Sequence, residues 1–229
     1  MSFGYTNQAS LNILMNLHEL QITKDVKEPH VDWKTVFEKH GWKVLGEGIE
    51  ATVGTKPGKP YVLKVFPAGS SFKYFVDFCE KNPSPHLPTF SRKIRPVPGA
   101  TPPAHYVRME PLQFIGQGDL MAKYFPWLAY AWIACDRNNI EMHWIWHNRI
   151  QHMIEEKFGQ SAHSLKDNYK SRALLWSKIG TVPASWKQLV DKLIAYVLTQ
   201  TQNSEIDFHP GNFMLRGNTL VIIDAISTM

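Results

Sequence analysis

Asp207-Phe208-His209-Pro210-Gly211-Asn212-Phe213-Met214-Leu215-Arg216-Gly217-Asn218-Thr219-Leu220-Val221-Ile222-Ile223-Asp224 is the stretch on which the reading of this chain turns. It holds an aspartate, an asparagine five residues later, and two short apolar runs around a polar turn that end in a second aspartate. Two such runs around Gly217-Asn218 read as a hairpin, which brings Asp224 back beside Asn212. One Mg²⁺ can then be held by Asn212 and Asp224 while Asp207 faces an incoming hydroxyl, which is the spacing of a phosphoryl-transfer site. An ordinary hairpin with polar turn residues satisfies the same local pattern, so the rest of the chain has to decide.

With 229 residues and 44% apolar content, the chain is long enough for one large domain or two lobes around a core of its own. The net charge of +5 comes from 25 basic and 20 acidic residues spread along the chain. No dense basic run occurs, so no specific nucleic-acid binding is expected. Cys79 and Cys135 lie in apolar helical contexts without CxxC or His/Cys ligand spacing, as expected of reduced, buried thiols in a cytosolic protein. No apolar run reaches the roughly 18 residues of a membrane span, and the N-terminus lacks a signal-peptide pattern. The protein is therefore expected to be soluble and intracellular, without membrane partners.

Upstream of the stretch, Leu11, Leu14, Met15, Leu17 and Leu20 predict an amphipathic helix, and Asp32 reads as the N-cap of a second helix ending near Gly41. From Gly41 the pattern turns to strands: Trp42–Leu45, Ala51–Val53 and Tyr61–Phe66, separated by Gly46-Glu47-Gly48 and by Lys56-Pro57-Gly58-Lys59-Pro60. Gly46, Gly48, Ala51 and Val53 follow the phosphate-loop pattern G-x-G-x-x-G-x-V, with alanine at the third glycine. Lys64 stands in an apolar strand, where a buried ammonium costs several kcal/mol, roughly, unless a partner or an anionic ligand offsets it. Residues 70–82 predict a helix with Phe72, Phe75, Val76 and Cys79 in one stripe. Glu80 at the flank of that stripe, rather than Asp77, is the expected carboxylate partner of Lys64. Thr89–Arg95 and His105–Glu110 predict two further strands, Gly116-Gln117-Gly118 a linker, and Asp119–Gln202 a tryptophan-rich helical region whose last helix follows Pro183. His143 and His147 stand four apart but lack a third ligand, so aromatic packing and solvation are the expected roles of this pair.

Glycine loop, strand lysine, apolar helix, strand, helical region and D-x-H-P-G-N…D follow one another in the order of the protein-kinase-like fold. The chain resembles the early serine/threonine kinases of short-tailed bacteriophages that infect enteric bacteria. That resemblance runs from Trp33 to Ser227 and is carried by Gly41-Trp42-Lys43-Val44-Leu45-Gly46-Glu47-Gly48, the strand around Lys64, and Asp207-Phe208-His209-Pro210-Gly211-Asn212. It implies an α+β, two-lobed protein-kinase-like fold: an N-terminal helical segment over 1–40, a small antiparallel lobe with a C-like helix over 41–115, and a mainly helical large lobe over 116–229. It further implies ATP and Mg²⁺ as cofactors, Asp207 as catalytic aspartate, Asn212 and Asp224 as metal ligands, and Lys64 as the phosphate-holding lysine. His209 takes the place of a lysine directed at the transferred phosphate. Tyr106-Val107-Arg108-Met109-Glu110-Pro111-Leu112 resembles the strand that passes the adenine, with its backbone at Met109 and Glu110 facing the base and Gly46, Gly48 and Val53 closing over the nucleotide. Core packing serves Met109 equally well.

The implied substrates are proteins of the infected bacterium, and the implied compartment is that host's cytoplasm. Four departures from the pattern bear on function, the first being Glu205 where many kinases have the histidine before the catalytic aspartate. Ala51 also replaces the third glycine, Asp224-Ala225-Ile226 replaces D-F-G, and the sequence stops five residues after Asp224, so no activation loop is expected. A kinase-like protein that binds and inhibits a host enzyme is one alternative expectation. An aminoglycoside-type small-molecule kinase is the other, since D-x-H-P-G-N is similar to theirs.

Overall fold

The computed structural model describes residues 31–48, 51–91, 93–138, 140, 144–158, 180–200 and 204–228. The expected N-terminal helix over Leu11–Leu20 and His143 lie outside them, as does the His147 side chain. Two compact units divide the chain: Met1–Ser70 with Phe90–Pro111, and Ser71–Thr89 with Leu112–Met229.

Among the described residues of the first unit, α1 (Trp33–Lys39) comes first, capped as its sequence predicts. Asp32 accepts from the Thr35 N–H at 3.2 Å and from its hydroxyl at 2.6 Å, satisfying a donor that the first turn leaves open. An antiparallel sheet follows, made of β1 (Lys43–Glu47), β2 (Thr52–Thr55), β3 (Val62–Pro67), β4 (Arg95–Pro96) and β5 (Ala104–Met109) in the order β1-β2-β3-β5-β4. Alternation along β3 sends Leu63 and Val65 to one face, where they join Val36 and Phe37 of α1 with Trp42, Val97, Ala104 and Tyr106. Val62, Lys64 and Phe66 take the other face. The strand expected over Thr89–Arg95 shrinks to Arg95–Pro96 and an isolated bridge between Phe90 and Met109.

In the second unit, α2 (Phe72–Lys81) buries Phe72, Phe75, Val76, Phe78 and Cys79. After β6 (Gln113–Phe114) come α3 (Gln117–Arg137), α4 (Trp144–Phe158) and α5 (Ala184–Gln200). The Gly116-Gln117-Gly118 linker expected from sequence is instead a helix start: Gly116 N-caps α3 in extended conformation, and its carbonyl accepts from Leu120 N–H at 2.9 Å. The chain then forms β7 (Ser204–Ile206), a 3-10 turn over Pro210–Asn212, β8 (Phe213–Arg216), β9 (Thr219–Ile222) and β10 (Ile226–Thr228). The hairpin β8–β9 forms where predicted, with Gly217 at φ +58° in its turn. β6 pairs with β8, and β10 pairs with β7.

The architecture is thus α+β, with α2 set between β3 and β4 along the chain. No helix among the described residues is long and apolar enough to cross a membrane.

Packing of α1 on the sheet leaves no room beside Gly54, where a Cβ would run into the Phe37 ring and approach the Lys43 carbonyl oxygen to 3.3 Å. Gly54→Ala should therefore cost about 1–3 kcal/mol through overpacking. Urea denaturation is the check; an unchanged midpoint would show that Phe37 can move aside at no cost.

Candidate functional site

The candidate residues of the second unit are assembled almost entirely by backbone. β7 runs into Asp207 and β10 starts just after Asp224, and the register Ile226↔Ile206 continues into a bond from Asp207 N–H to the Ala225 carbonyl at 3.0 Å. At the other side, Ile223 N–H donates to the Asn212 carbonyl at 2.8 Å. The peptide Ile223-Asp224-Ala225 is therefore pinned on one flank to Asn212 and on the other to Asp207.

Side chains complete the loop. Asn212 Nδ2 donates to the Asp207 backbone oxygen at 3.0 Å and to its carboxylate Oδ2 at 3.0 Å. The second carboxylate oxygen accepts from His209 N–H at 3.1 Å. Asp207 is thereby oriented by one donor on each oxygen. His209 accepts from Gly211 N–H through Nδ1 at 3.1 Å, so its neutral ring carries the proton on Nε2. The His209 ring is exposed, and Asp207, Asn212 and Asp224 are half-buried.

Apolar packing sits beneath this polar rim. Phe208 and Phe213 are buried with ring centroids 5.8 Å apart, and Trp186 stacks against Phe213 at 6.5 Å. Alternation around Asp207 thus sends Phe208 inward and leaves its neighbours on the rim. From α2, the thiol of Cys79 is pushed well up, first by burial and then by the charge of Asp224. Asp224 thus lies within electrostatic reach of a helix whose stripe was legible in the sequence.

The two carboxylates of α2 have different surroundings. Asp77 accepts from Lys81 at 2.8 Å and from the Tyr196 hydroxyl at 2.8 Å. The Lys81 hydrogen bond leads in holding its carboxyl below the usual range, while Glu80 is exposed.

In the first unit, Gly46, Val53, Lys64 and Val107 form one cross-strand row through the pairings Gly46↔Val53, Val53↔Lys64 and Lys64↔Val107. Met109, paired with Val62, continues that face and is buried; Glu110, just beyond β5, is half-buried. Lys64 is 5% exposed, so its ammonium stands in the setting the sequence predicted. Gly48 N–H donates to the Ala51 carbonyl at 2.8 Å, closing the glycine turn.

Neither Gly46 nor Gly48 has a positive φ, a Cβ on Gly46 would meet nothing within 4 Å, and one on Gly48 would meet only the Ala51 oxygen at 3.8 Å. The fold itself does not demand glycine at either position, which leaves backbone open to a close ligand. One residue of this face gave almost no sign of itself in the sequence. His105, opposite Phe66 on β5, has a buried Nδ1 without a hydrogen-bond partner among the described residues. A polar residue in an apolar alternation was its only signal.

The donor set fits magnesium. Asp207 and Asp224 offer carboxylate oxygens, and Asn212, whose amide nitrogen donates to Asp207, offers its amide oxygen. Mg²⁺ takes such hard oxygens, one or two from carboxylates, and fills its octahedron with phosphate and water. No group of three or more His, Cys, Asp or Glu able to cage a metal occurs among the described residues.

Comparison with known proteins adds little. No protein-family model matches the chain, and no curated protein matches it. Among solved structures, the ternary complex of APH(2″)-IIa with streptomycin and ATP is 14% identical, covering 100% of this chain and 74% of that one at a TM-score of 0.30. A likeness that slight assigns no chemistry to this chain.

Asn212→Ala removes both bonds to Asp207 together with the candidate amide ligand. Stability should fall by about 1–2 kcal/mol, at the usual net worth of two hydrogen bonds. Mn²⁺ affinity, read by electron paramagnetic resonance, should drop at least about tenfold, as loss of one ligand worth roughly 1.4 kcal/mol requires. Undiminished Mn²⁺ binding would remove Asn212 from the ligand set.

Proposed function

We propose that this chain is a Mg²⁺- and ATP-dependent phosphotransferase acting on a hydroxyl, and specifically a phage-type serine/threonine kinase whose substrates are proteins of the host bacterium. The observation that carries the reading is the pinned loop in which Asn212 holds Asp207 while Asp224 is fixed between the backbone partners of both. A plain hairpin does not need a carboxylate held by an asparagine from within the same loop.

Asp207 is the residue that orients the acceptor hydroxyl and takes its proton. Each of its oxygens accepts one bond within the loop, which leaves a lone pair for that hydroxyl. As the acceptor oxygen bonds to the γ-phosphorus, the bridging oxygen leaves with ADP. His209, protonated on Nε2, is a donor toward the moving phosphoryl group, and Lys64 adds fixed positive charge for the phosphates. Asn212 and Asp224 would hold Mg²⁺, which supplies neutralisation of phosphate charge when bound. Catalysis of this kind is mostly positioning and electrostatics, so loss of the base is expected to act on turnover and to spare nucleotide binding.

The test is transfer of labelled phosphate from ATP by wild type and Asp207→Ala, incubated with bacterial lysate and with aminoglycosides in parallel. Wild type should label proteins. Asp207→Ala should lower that transfer by about 10³-fold or more with ATP-analogue affinity within about threefold. Label on the aminoglycoside alone would replace the protein substrate by a small molecule. A folded, ATP-binding protein that transfers to neither would be a binder of a host enzyme.

A further inference from the structure

The hairpin that brings in Asn212 and Asp224 is clasped by a loop far from it in sequence, Pro83–Pro88. Three successive carbonyls of that loop accept from the hairpin: Pro85 from Arg216 Nη1 at 2.8 Å, His86 from Ile222 N–H at 2.9 Å, and Leu87 from Arg216 Nη2 at 2.8 Å. His86 answers with its ring, whose Nδ1 lies 2.9 Å from the Leu220 carbonyl and whose Nε2 lies 2.9 Å from Ser185 Oγ at the start of α5. A carbonyl can only accept, so Nδ1 carries the proton and Nε2 of the neutral ring accepts from the Ser185 hydroxyl.

His86 is 4% exposed. Its ring packs at near right angles to Trp127 and Trp186, with centroids 5.3 and 5.4 Å away. The groups named around it offer no negative charge to offset a second proton. α3 presents Trp127 and, beyond it, the Tyr124 phenol, whose hydroxyl donates to the Asn218 carbonyl at 2.9 Å. α5 presents Ser185 and Trp186, and the hairpin presents Arg216, a cation. Charging the ring would bury a positive charge beside that guanidinium and would turn the Ser185 bond around.

We propose that His86 is a proton-sensitive positioning residue: its neutral ring locks the β8–β9 hairpin that sets Asn212 against Asp224, and its protonation releases the lock. The grip on the catalytic cation thereby weakens in mild acid. This regulatory role rests on the reading of Asn212 and Asp224 as cation ligands, whereas the lock itself does not.

Burial first, and then Arg216, hold the imidazole below its ordinary range, with the Leu220 carbonyl acting the other way. The lowered value makes the neutral ring the folded form. Its contribution to stability is complete above the ordinary histidine value of 6.5 and is lost as pH falls through the lowered one.

Two readouts on the full chain, between pH 7.5 and 5.5, separate the lock from the cation site. The first is amide-exchange protection of Ile222 and Ile223, corrected for intrinsic rates; the second is Mn²⁺ affinity. In wild type, protection should fall by up to about tenfold across this range, the most that one histidine with an ordinary value of 6.5 in the opened state can give, and Mn²⁺ affinity should fall with it. His86→Asn keeps a donor for Leu220 but cannot titrate, so both readouts should be flat. If that variant does not fold, Ser185→Ala takes its place. It leaves Nε2 without its donor, and its hairpin protection at pH 7.5 should drop toward the acid wild-type value.

A flat profile in wild type overturns the proposal. So does a slope in His86→Asn equal to that of wild type, or unchanged protection in Ser185→Ala. Mn²⁺ that binds nowhere, with exchange behaving as described, would sink the cation assignment and leave the lock standing.

Discussion

Two backbone hydrogen bonds, Ile223 N–H to the Asn212 carbonyl and Asp207 N–H to the Ala225 carbonyl, hold three widely spaced polar residues in one place. Neighbouring elements of the second unit support that pair of bonds. The ladder β7–β10 continues one of them and the hairpin β8–β9 leads into the other. Beneath lie Phe208, Phe213 and Trp186, fully buried, so the polar rim rests on a surface that cannot easily shift. Backbone amides are better anchors for such a site than long side chains, because they bring no rotamer entropy of their own.

The first unit solves a different problem, that of keeping a lysine in an apolar strand. β3 is buried along almost its whole length, and its two faces have different duties. One face is closed by α1, with Phe37 pressed against the bare backbone at Gly54. The other carries the row of Gly46, Val53, Lys64 and Val107. Strand alternation alone therefore separates the packing residues from the polar one, and a shift of one residue in register would exchange them.

Local features were legible and distant pairings were not. Asp32 as a cap, the stripe of α2, the three strands around the glycine turn and the hairpin after Asn212 each depend on residues close in sequence, whose periodicity or turn chemistry declares them. β6, with two residues, is too short for any periodicity, and the union of β7 with β10 joins segments that carry no mutual signal. Gly116 read as a linker because glycine marks both loops and helix starts, and only the Leu120 N–H decides between them. Of the candidate site, Asp207, Asn212 and the approach of Asp224 were readable from spacing. His86 was not, because Pro83-Ser84-Pro85-His86-Leu87-Pro88 reads as a stop signal for a helix, and nothing local says that its carbonyls face a hairpin.

That clasp also sets what kinds of change the chain can absorb. Arg216 spans two carbonyls with the two arms of one planar group, a fork that a lysine cannot imitate. The tip at Asn218 is tied by Tyr124, and both ends of the hairpin are tied by the pinning bonds. The segment from Asp207 to Asp224 therefore works as a ruler read at several marks at once. Replacing a side chain along it is a local event, but inserting or deleting one residue within a strand moves every later mark and exchanges the two faces of that strand. In this part of the molecule, length is held more tightly than identity.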